Sequence, residues 1–269
     1  SRQSGRKVTF TLVQSPDYAP DTWERLLDMV VSANQTGAQL YPQVSSRPIG
    51  LASGLSGYHA FQRRPTYMKL AHLSLADRAR EMAKPEIKAA IMSETDVLVD
   101  QPGSMANMYQ LFQTAAMFLY PLADPVDYEP DPSEMLGSRA AATGQDVLDL
   151  LYDYLLEQDG AAMCALMGGP NVHDSQEVLR KMLIHPETVT GLSDAGAHVT
   201  LICDATMPTT QLTFWARDRH KGERLPLEFL VAKQTARNAD LYGLKDRGRL
   251  AVGLRADINV IDFENLRVS

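Results

Sequence analysis

The chain of 269 residues has only two cysteines, Cys164 and Cys203, too few for a disulfide framework. Such sparing use fits a reducing compartment, so a cytoplasmic setting is expected, with both thiols as small buried side chains. No apolar run approaches the roughly 18 residues that a membrane-crossing helix needs. The basic N-terminal residues Arg2, Arg6 and Lys7 are not followed by the hydrophobic segment of a secretory signal. Positive charge is also short: the formal net charge is −7, which argues against a general nucleic-acid binder. Internal repeats and low-complexity tracts are missing as well. What is there is ordinary globular composition, 45% hydrophobic and 22% charged, in a chain long enough to bury a substantial core. Its charge is uneven: acids dominate from Pro121 to Gly160, where Arg139 is the lone base, and bases outnumber acids from Arg217 to Arg255. Two complementary solvated faces account for that pattern.

Periodicity sets the organisation. Residues 8–14 are β-branched and apolar without a breaker and predict a buried strand. Asp21-Thr22-Trp23-Glu24 has the spacing of a capping box, and Trp23, Leu26, Leu27 and Val30 share one face of the helix that follows. Gly37 ends that helix, and Ala38 to Val44 predict the next strand. Strand, helix, strand is a βαβ unit with parallel strands and a right-handed crossover. Ser45 to Pro65 reads as a long polar loop, and such loops after strands often carry function. Helices are predicted at Leu75 to Ala83, Glu86 to Glu94, Asp146 to Glu157, after Asp174-Ser175-Gln176-Glu177, at Thr209 to Arg219 and at Leu227 to Tyr242. Four prolines between Met117 and Glu134 predict an irregular arm or linker. A third parallel strand is predicted at 188–193, and glycine-punctuated strands from Gly248 to Asp262.

The most informative stretch is Ser193-Asp194-Ala195-Gly196-Ala197-His198-Val199. An apolar run delivers Asp194 to a glycine-containing turn, where a carboxylate at a strand end can ligate a metal or carry a proton. A turn-capping aspartate is the plain alternative.

Gly248-Arg249-Leu250-Ala251-Val252-Gly253-Leu254-Arg255-Ala256-Asp257-Ile258-Asn259-Val260-Ile261-Asp262 resembles the closing segment of the amidohydrolase superfamily. Thr235 to Leu244 resembles its last barrel helix. Ser193 to His198 with Cys203-Asp204, Trp215-Ala216-Arg217-Asp218-Arg219 and Tyr41-Pro42-Gln43 is similar to the N-acyl-D-amino-acid deacylase group. The resemblance implies an α/β fold: a partial (β/α) TIM-type barrel, its last strands and helices, over residues 1–247. It also implies a long insertion at 45–135 and the start of a small β-sandwich at 248–269. Its function would be hydrolysis of the amide bond of N-acyl amino acids, of the D series or otherwise, or of related amides by metal-activated water, with one or two zinc ions in the complete enzyme. Asp194 would then ligate metal and shuttle a proton between the attacking water and the leaving amine. His198 would orient Asp194 or meet substrate, or serve only as a structural histidine. Tyr41, Gln43 and Arg47 would line the substrate mouth, Arg47 matching a carboxylate bidentately. Local pairing of Arg47 and burial of Gln43 are their plain alternatives.

One expected feature is missing. The family's first strand carries a His-x-His pair, and the histidines here, His59, His72, His173, His185, His198 and His220, have no metal-pair spacing. A catalytic zinc normally takes three protein ligands, and Asp194 is the one this sequence nominates. The expectation is therefore a C-terminal portion of a longer enzyme, with the zinc site incomplete in this chain. Its partners would be a small-molecule amide substrate and either a second copy or the missing N-terminal portion, with neither nucleic acid nor membrane. Two other readings stay open: a non-catalytic binding or assembly module on the same scaffold, and a hydrolase of cyclic amides of the hydantoin type.

Overall fold

The computed structural model describes residues 1–14, 18–101, 103–168, 175–191, 193, 196, 200–202 and 204–268. In chain order its elements are β1 (Val8–Thr11), α1 (Thr22–Gln35), β2 (Leu40–Val44), β3 (Ile49–Gly54), α2 (Pro65–Leu70), α3 (Leu75–Met82) and α4 (Pro85–Ser93). Then come α5 (Tyr109–Thr114), β4 (Leu119–Pro121), α6 (Leu136–Thr143), α7 (Val147–Leu155), β5 (Met163–Gly168), α8 (Glu177–Ile184) and β6 (Val189–Thr190). The last helices are α9 (Met207–Thr213), α10 (Leu227–Gln234) and α11 (Ala236–Tyr242). The chain divides into two compact units: Ser1–Ile49 with Gly168–Gly196 and Asp204–Ser269, and Gly50–Met167 with Ala197–Cys203. Both are mixed α/β.

In the first unit β1, β2 and β6 form a sheet in that order, all parallel, with Val8 opposite Leu40 and Gln43 opposite Val189. The β1–α1–β2 unit expected from periodicity is present. Its helix buries Trp23, Leu27 and Val30, and leaves Leu26 at the margin, 37% exposed. The expected capping box is not formed: Asp21 is the N-cap but its side chain makes no capping bond and pairs instead with Arg25 at 3.4 Å. Asn34 fixes the helix to the next strand, its amide exchanging both hydrogen bonds with the Leu40 backbone at 2.8 and 2.9 Å. β1 is not a buried strand. Val8, Phe10 and Thr11 are exposed, since among the described residues β1 pairs on one side only, and burial begins at Leu12 and Gln14.

Two C-terminal expectations are corrected. The single helix predicted over 227–242 breaks at Thr235, whose backbone leaves the helical region (φ −111°, ψ −82°) while its hydroxyl donates back to Val231 O at 2.7 Å. The strands predicted from Gly248 to Asp262 do not form among the described residues. Strands exist by pairing their backbone groups, and here Val252 and Val260 stand fully exposed instead.

The second unit packs α2 to α7 around β3, β4 and β5, which lie in the order β3-β5-β4. Its core is apolar: Phe61, Met82, Ile91, Phe112, Leu119, Leu136, Leu151, Tyr152 and Leu155 are all essentially buried. The proline-rich segment is irregular over 122–131 as expected, but not at its start. Leu119–Pro121 pairs antiparallel with β5, Leu119 opposite Leu166 and Pro121 opposite Cys164, with the proline at the strand's end. Cys164 is buried as expected, and burial pushes its thiol up to about 12.

Candidate functional site

Ligands of α/β proteins bind beyond the carboxyl ends of parallel strands. Here the ladder outlasts the strands themselves: Leu12 N–H donates to Gln43 O at 2.8 Å and Gly191 N–H to Val44 O at 3.1 Å. Past these ends lies a cavity of about 240 Å³, lined by Ser46, Thr190, Gly191, Ser193, Met207, Pro208, Gln211, Gln234 and Asn238. Hydroxyl and carboxamide groups line it, and none of the lining side chains is charged.

The walls are tied to one another. Ser46 hydroxyl donates to Met207 O at 2.9 Å, and Trp215 Nε1 donates to Ser46 O at 2.6 Å. Gln234 Nε2 donates to Pro208 O at 2.7 Å. Asn238 Nδ2 reaches Thr190 O at 3.4 Å, while its buried Oδ1 has no hydrogen-bond partner among the described residues. An unpaired buried carbonyl costs about 1–3 kcal/mol.

The two residues nominated for catalysis, Asp194 and His198, lie outside the described residues, as does Cys203. Ser193, next to Asp194, is a cavity wall. The residues nominated for substrate divide. Gln43 sits beside the cavity wall, its Nε2 donating to Thr9 Oγ1 at 3.0 Å. A Cβ on Gly191 would come within 2.8 Å of Gln43 Oε1, so the bare glycine lets the carboxamide lie close against this backbone. Arg47 follows β2 but is buried, 3% exposed. Its Nη1 donates to Asp204 Oδ1 and Pro48 O, both at 2.8 Å, and its Nη2 donates to Thr206 Oγ1 at 2.8 Å. Tyr41, early in β2, is at the other end of the strand. Its ring has Lys7 Nζ and the Arg237 guanidinium each at 5.9 Å.

Sequence reasoning missed Ser46, Gln211, Gln234 and Asn238. Each is an ordinary polar residue after a strand or on a helix, and only the fold gathers them. It named Asp204 in a motif without its partner, because Arg47 lies 157 positions away.

Residues 17–269 match the amidohydrolase family, and the chain belongs to it. Over 46 residues it is 52% identical to the N-acyl-D-glutamate deacylase of Alcaligenes xylosoxydans xylosoxydans, covering 17% of this chain and 9% of that protein. Over 147 residues it is 33% identical to the imidazolonepropionase of Paracoccus denitrificans (strain Pd 1222), covering 52% of this chain and 36% of that one. The crystal structure of N-acyl-D-glutamate deacylase from Bordetella bronchiseptica, complexed with zinc and a phosphonate inhibitor that mimics the tetrahedral intermediate, has a TM-score of 0.43 at 15% identity. That comparison covers 95% of this chain and 40% of that one. The chain thus spans less than half the length of each of these relatives.

Among the described residues no three His, Cys, Asp or Glu side chains converge as metal ligands. The described donors do not make a zinc site by themselves. No helix among the described residues is long and apolar enough to cross a membrane.

Proposed function

We propose that this chain serves a hydrolase acting on non-peptide C–N bonds, with N-acyl D-amino acids as its substrate class. The stretch 52% identical to an N-acyl-D-glutamate deacylase carries the choice of substrate, and family membership carries the reaction type. In this reading Asp194, the residue after the cavity-lining Ser193, is the proton carrier. It accepts a proton from the attacking water and returns it to the leaving nitrogen, work suited to a positioned carboxylate. His198 orients that carboxylate. The acyl amide lies against the neutral wall of Ser46, Gln211 and Asn238, where hydroxyls and carboxamides meet an uncharged group without stranding a charge. Gln43 supports Gly191 at the cavity's edge. Arg47 acts through Asp204, holding the turn after β2 in place, and Tyr41 supports the opposite strand end. A zinc ion, which the family resemblance implies, would need ligands beyond Asp194 from outside the described residues.

The test is hydrolysis of N-acyl-D-glutamate by the intact protein and by its Asp194→Asn variant. We expect kcat/KM to fall by about 10²–10⁴-fold with the far-UV spectrum unchanged, since this is the usual contribution of a general base. Near-normal turnover in the variant removes Asp194 from the mechanism. Turnover of hydantoins in place of acyl amides moves the assignment to cyclic amides, and no turnover of either favours the assembly module.

A further inference from the structure

A second cavity lies at the other end of β6, among residues that precede the strand. It measures about 410 Å³ and is lined by Ile184, His185 and Pro186 together with Phe229, Ala232, Lys233, Ala236, Arg237, Asp240 and Arg249. Its chemistry is unlike that of the neutral cavity. Two permanent cations, Arg237 and Arg249, and the amine of Lys233 line it with one carboxylate, Asp240, and both oxygens of that carboxylate are already held by Arg249 at 2.6 and 2.9 Å. Glu187 and Asp28, which act on His185, are not among the lining residues.

Among the described residues neither Lys233 nor Arg237 forms a close ion pair, although the Arg237 charge acts on Asp240. Lys233 Nζ is spent on neutral acceptors, donating to Thr188 O, Thr188 Oγ1 and His185 O at 2.8, 3.1 and 3.2 Å. Arg237 donates from Nη2 to Pro186 O and lies over the Tyr41 ring, which leaves most of its fork unspent. His185 Nδ1 accepts the Glu187 N–H at 3.2 Å, so its neutral ring carries the proton on Nε2, as a further donor. With Asp240 shared among Arg249, Lys7 and Arg237, basic groups outnumber the single lining carboxylate, and the positive potential this leaves is one that an anion relieves. Ile184, Phe229, Ala232 and Ala236 give the same cavity an apolar floor.

We propose that this cavity binds a small organic carboxylate with an apolar body, the carboxylate on Arg237 beside Lys233 and the body against Ile184, Phe229 and Ala232. The site is separate from the candidate active site, since none of its lining residues is shared with the cavity beyond the strand ends. It is an effector or product-carboxylate site on the far side of β6.

Three probes test it on the intact protein by calorimetric titration: hexanoate, hexanamide with the same body but no charge, and inorganic phosphate with charge but no body. We expect saturable hexanoate binding, with hexanamide and phosphate each at least tenfold weaker. Arg237→Gln should weaken hexanoate about tenfold or more, the usual scale for losing a charge-assisted pair. Ala232→Glu is a second variant at an exposed helix position, where the fold tolerates change and a negative floor repels the ligand. Equal binding of hexanamide overturns the role of charge. Equal binding of phosphate, insensitive to Ala232→Glu, overturns the apolar part. Absence of saturable hexanoate binding, or hexanoate binding untouched by both variants, overturns the site.

Discussion

The two units bury different chemistry. Among the described residues, the second unit encloses an almost wholly apolar core, with Ser53, His59 and Glu129 as its buried polar side chains. The first buries Arg47, Asp204, Gln211, Arg219, Thr188 and Lys233 among its apolar residues. Apolar burial is the cheaper way to hold a fold together, because each buried polar group must find a partner or lose about 1–3 kcal/mol. A unit that nevertheless fills its interior with paired charges and carboxamides is one whose geometry is specified more tightly than stability requires. Both cavities to which we assign a role, the neutral one beyond the strand ends and the cationic one before β6, belong to that unit.

The strongest way to break this contrast is at the buried ion pair. Arg47 and Asp204 are 3% and 2% exposed and meet at 2.8 Å. Removing one partner leaves the other charged and buried, which costs about 3–5 kcal/mol. Arg47→Ala should therefore lower stability by that amount in equilibrium denaturation. The double variant Arg47→Met with Asp204→Leu should recover most of it, because replacing both partners removes the stranded charge. If Arg47→Ala is as stable as the parent, the pair does not hold the first unit together.

In the second unit the comparable group is neutral. His59 is fully buried, its Nδ1 accepting the Phe61 N–H at 3.2 Å and its ring edge-on to Tyr67 with centroids 4.4 Å apart. Burial, then the nearby Arg78 charge, pushes its pKa from 6.5 down to about 3. Between those values the unfolded chain binds a proton that the folded chain does not, so stability falls as pH drops through the window. By about pH 4.5 this amounts to roughly 3 kcal/mol at 1.36 kcal/mol per unit. A denaturation series from pH 7 to pH 4 should show the decline, and His59→Phe should flatten this group's part of it. An unchanged slope in His59→Phe would assign the acid sensitivity elsewhere.

Much of the first unit was legible because its signals are local. The β1–α1–β2 unit follows from one uninterrupted apolar run, one helical face and one glycine. The second unit's sheet was not. Ile49-Gly50-Leu51-Ala52-Ser53-Gly54 looks like a loop because its small residues have little strand propensity, yet smallness is what brings β3 against its neighbour. A Cβ on Gly54 would fall 3.0 Å from the Met163 side chain and 3.2 Å from Ala162 O. β1 read as buried because its residues are apolar, and apolar residues also sit on open edges. At the site, Asp194 and His198 were nominated by a local motif and fall outside the described residues. The neutral lining and the cationic cavity were invisible, since residues such as Ser46 and Asn238, or His185 and Arg249, come together only through the tertiary fold.

The finest way to sharpen the contrast is at Lys233, the first unit's buried amine. Two effects oppose each other there. Burial and the Arg237 charge push the amine from 10.5 down to about 7, while three oxygen acceptors around Nζ favour the charged form that supplies three donors. A folded pKa below the unfolded one means that the unfolded state binds the extra proton between the two values. Stability should then rise as pH climbs from about 7 toward 10.5, whereas acceptors that restore the amine's ordinary value would leave this window flat. Lys233→Met removes the question along with the bonds, leaving Thr188 O and His185 O without this donor. The expected cost is about 1–3 kcal/mol, below that of Arg47→Ala because no charge is stranded. Thermal denaturation of parent and variant across pH 7 to 10 measures both quantities. A parent curve that climbs while the Lys233→Met curve stays level assigns the slope to this amine. Parallel curves mean that the three acceptors outweigh burial and the first unit keeps a charged lysine in its interior.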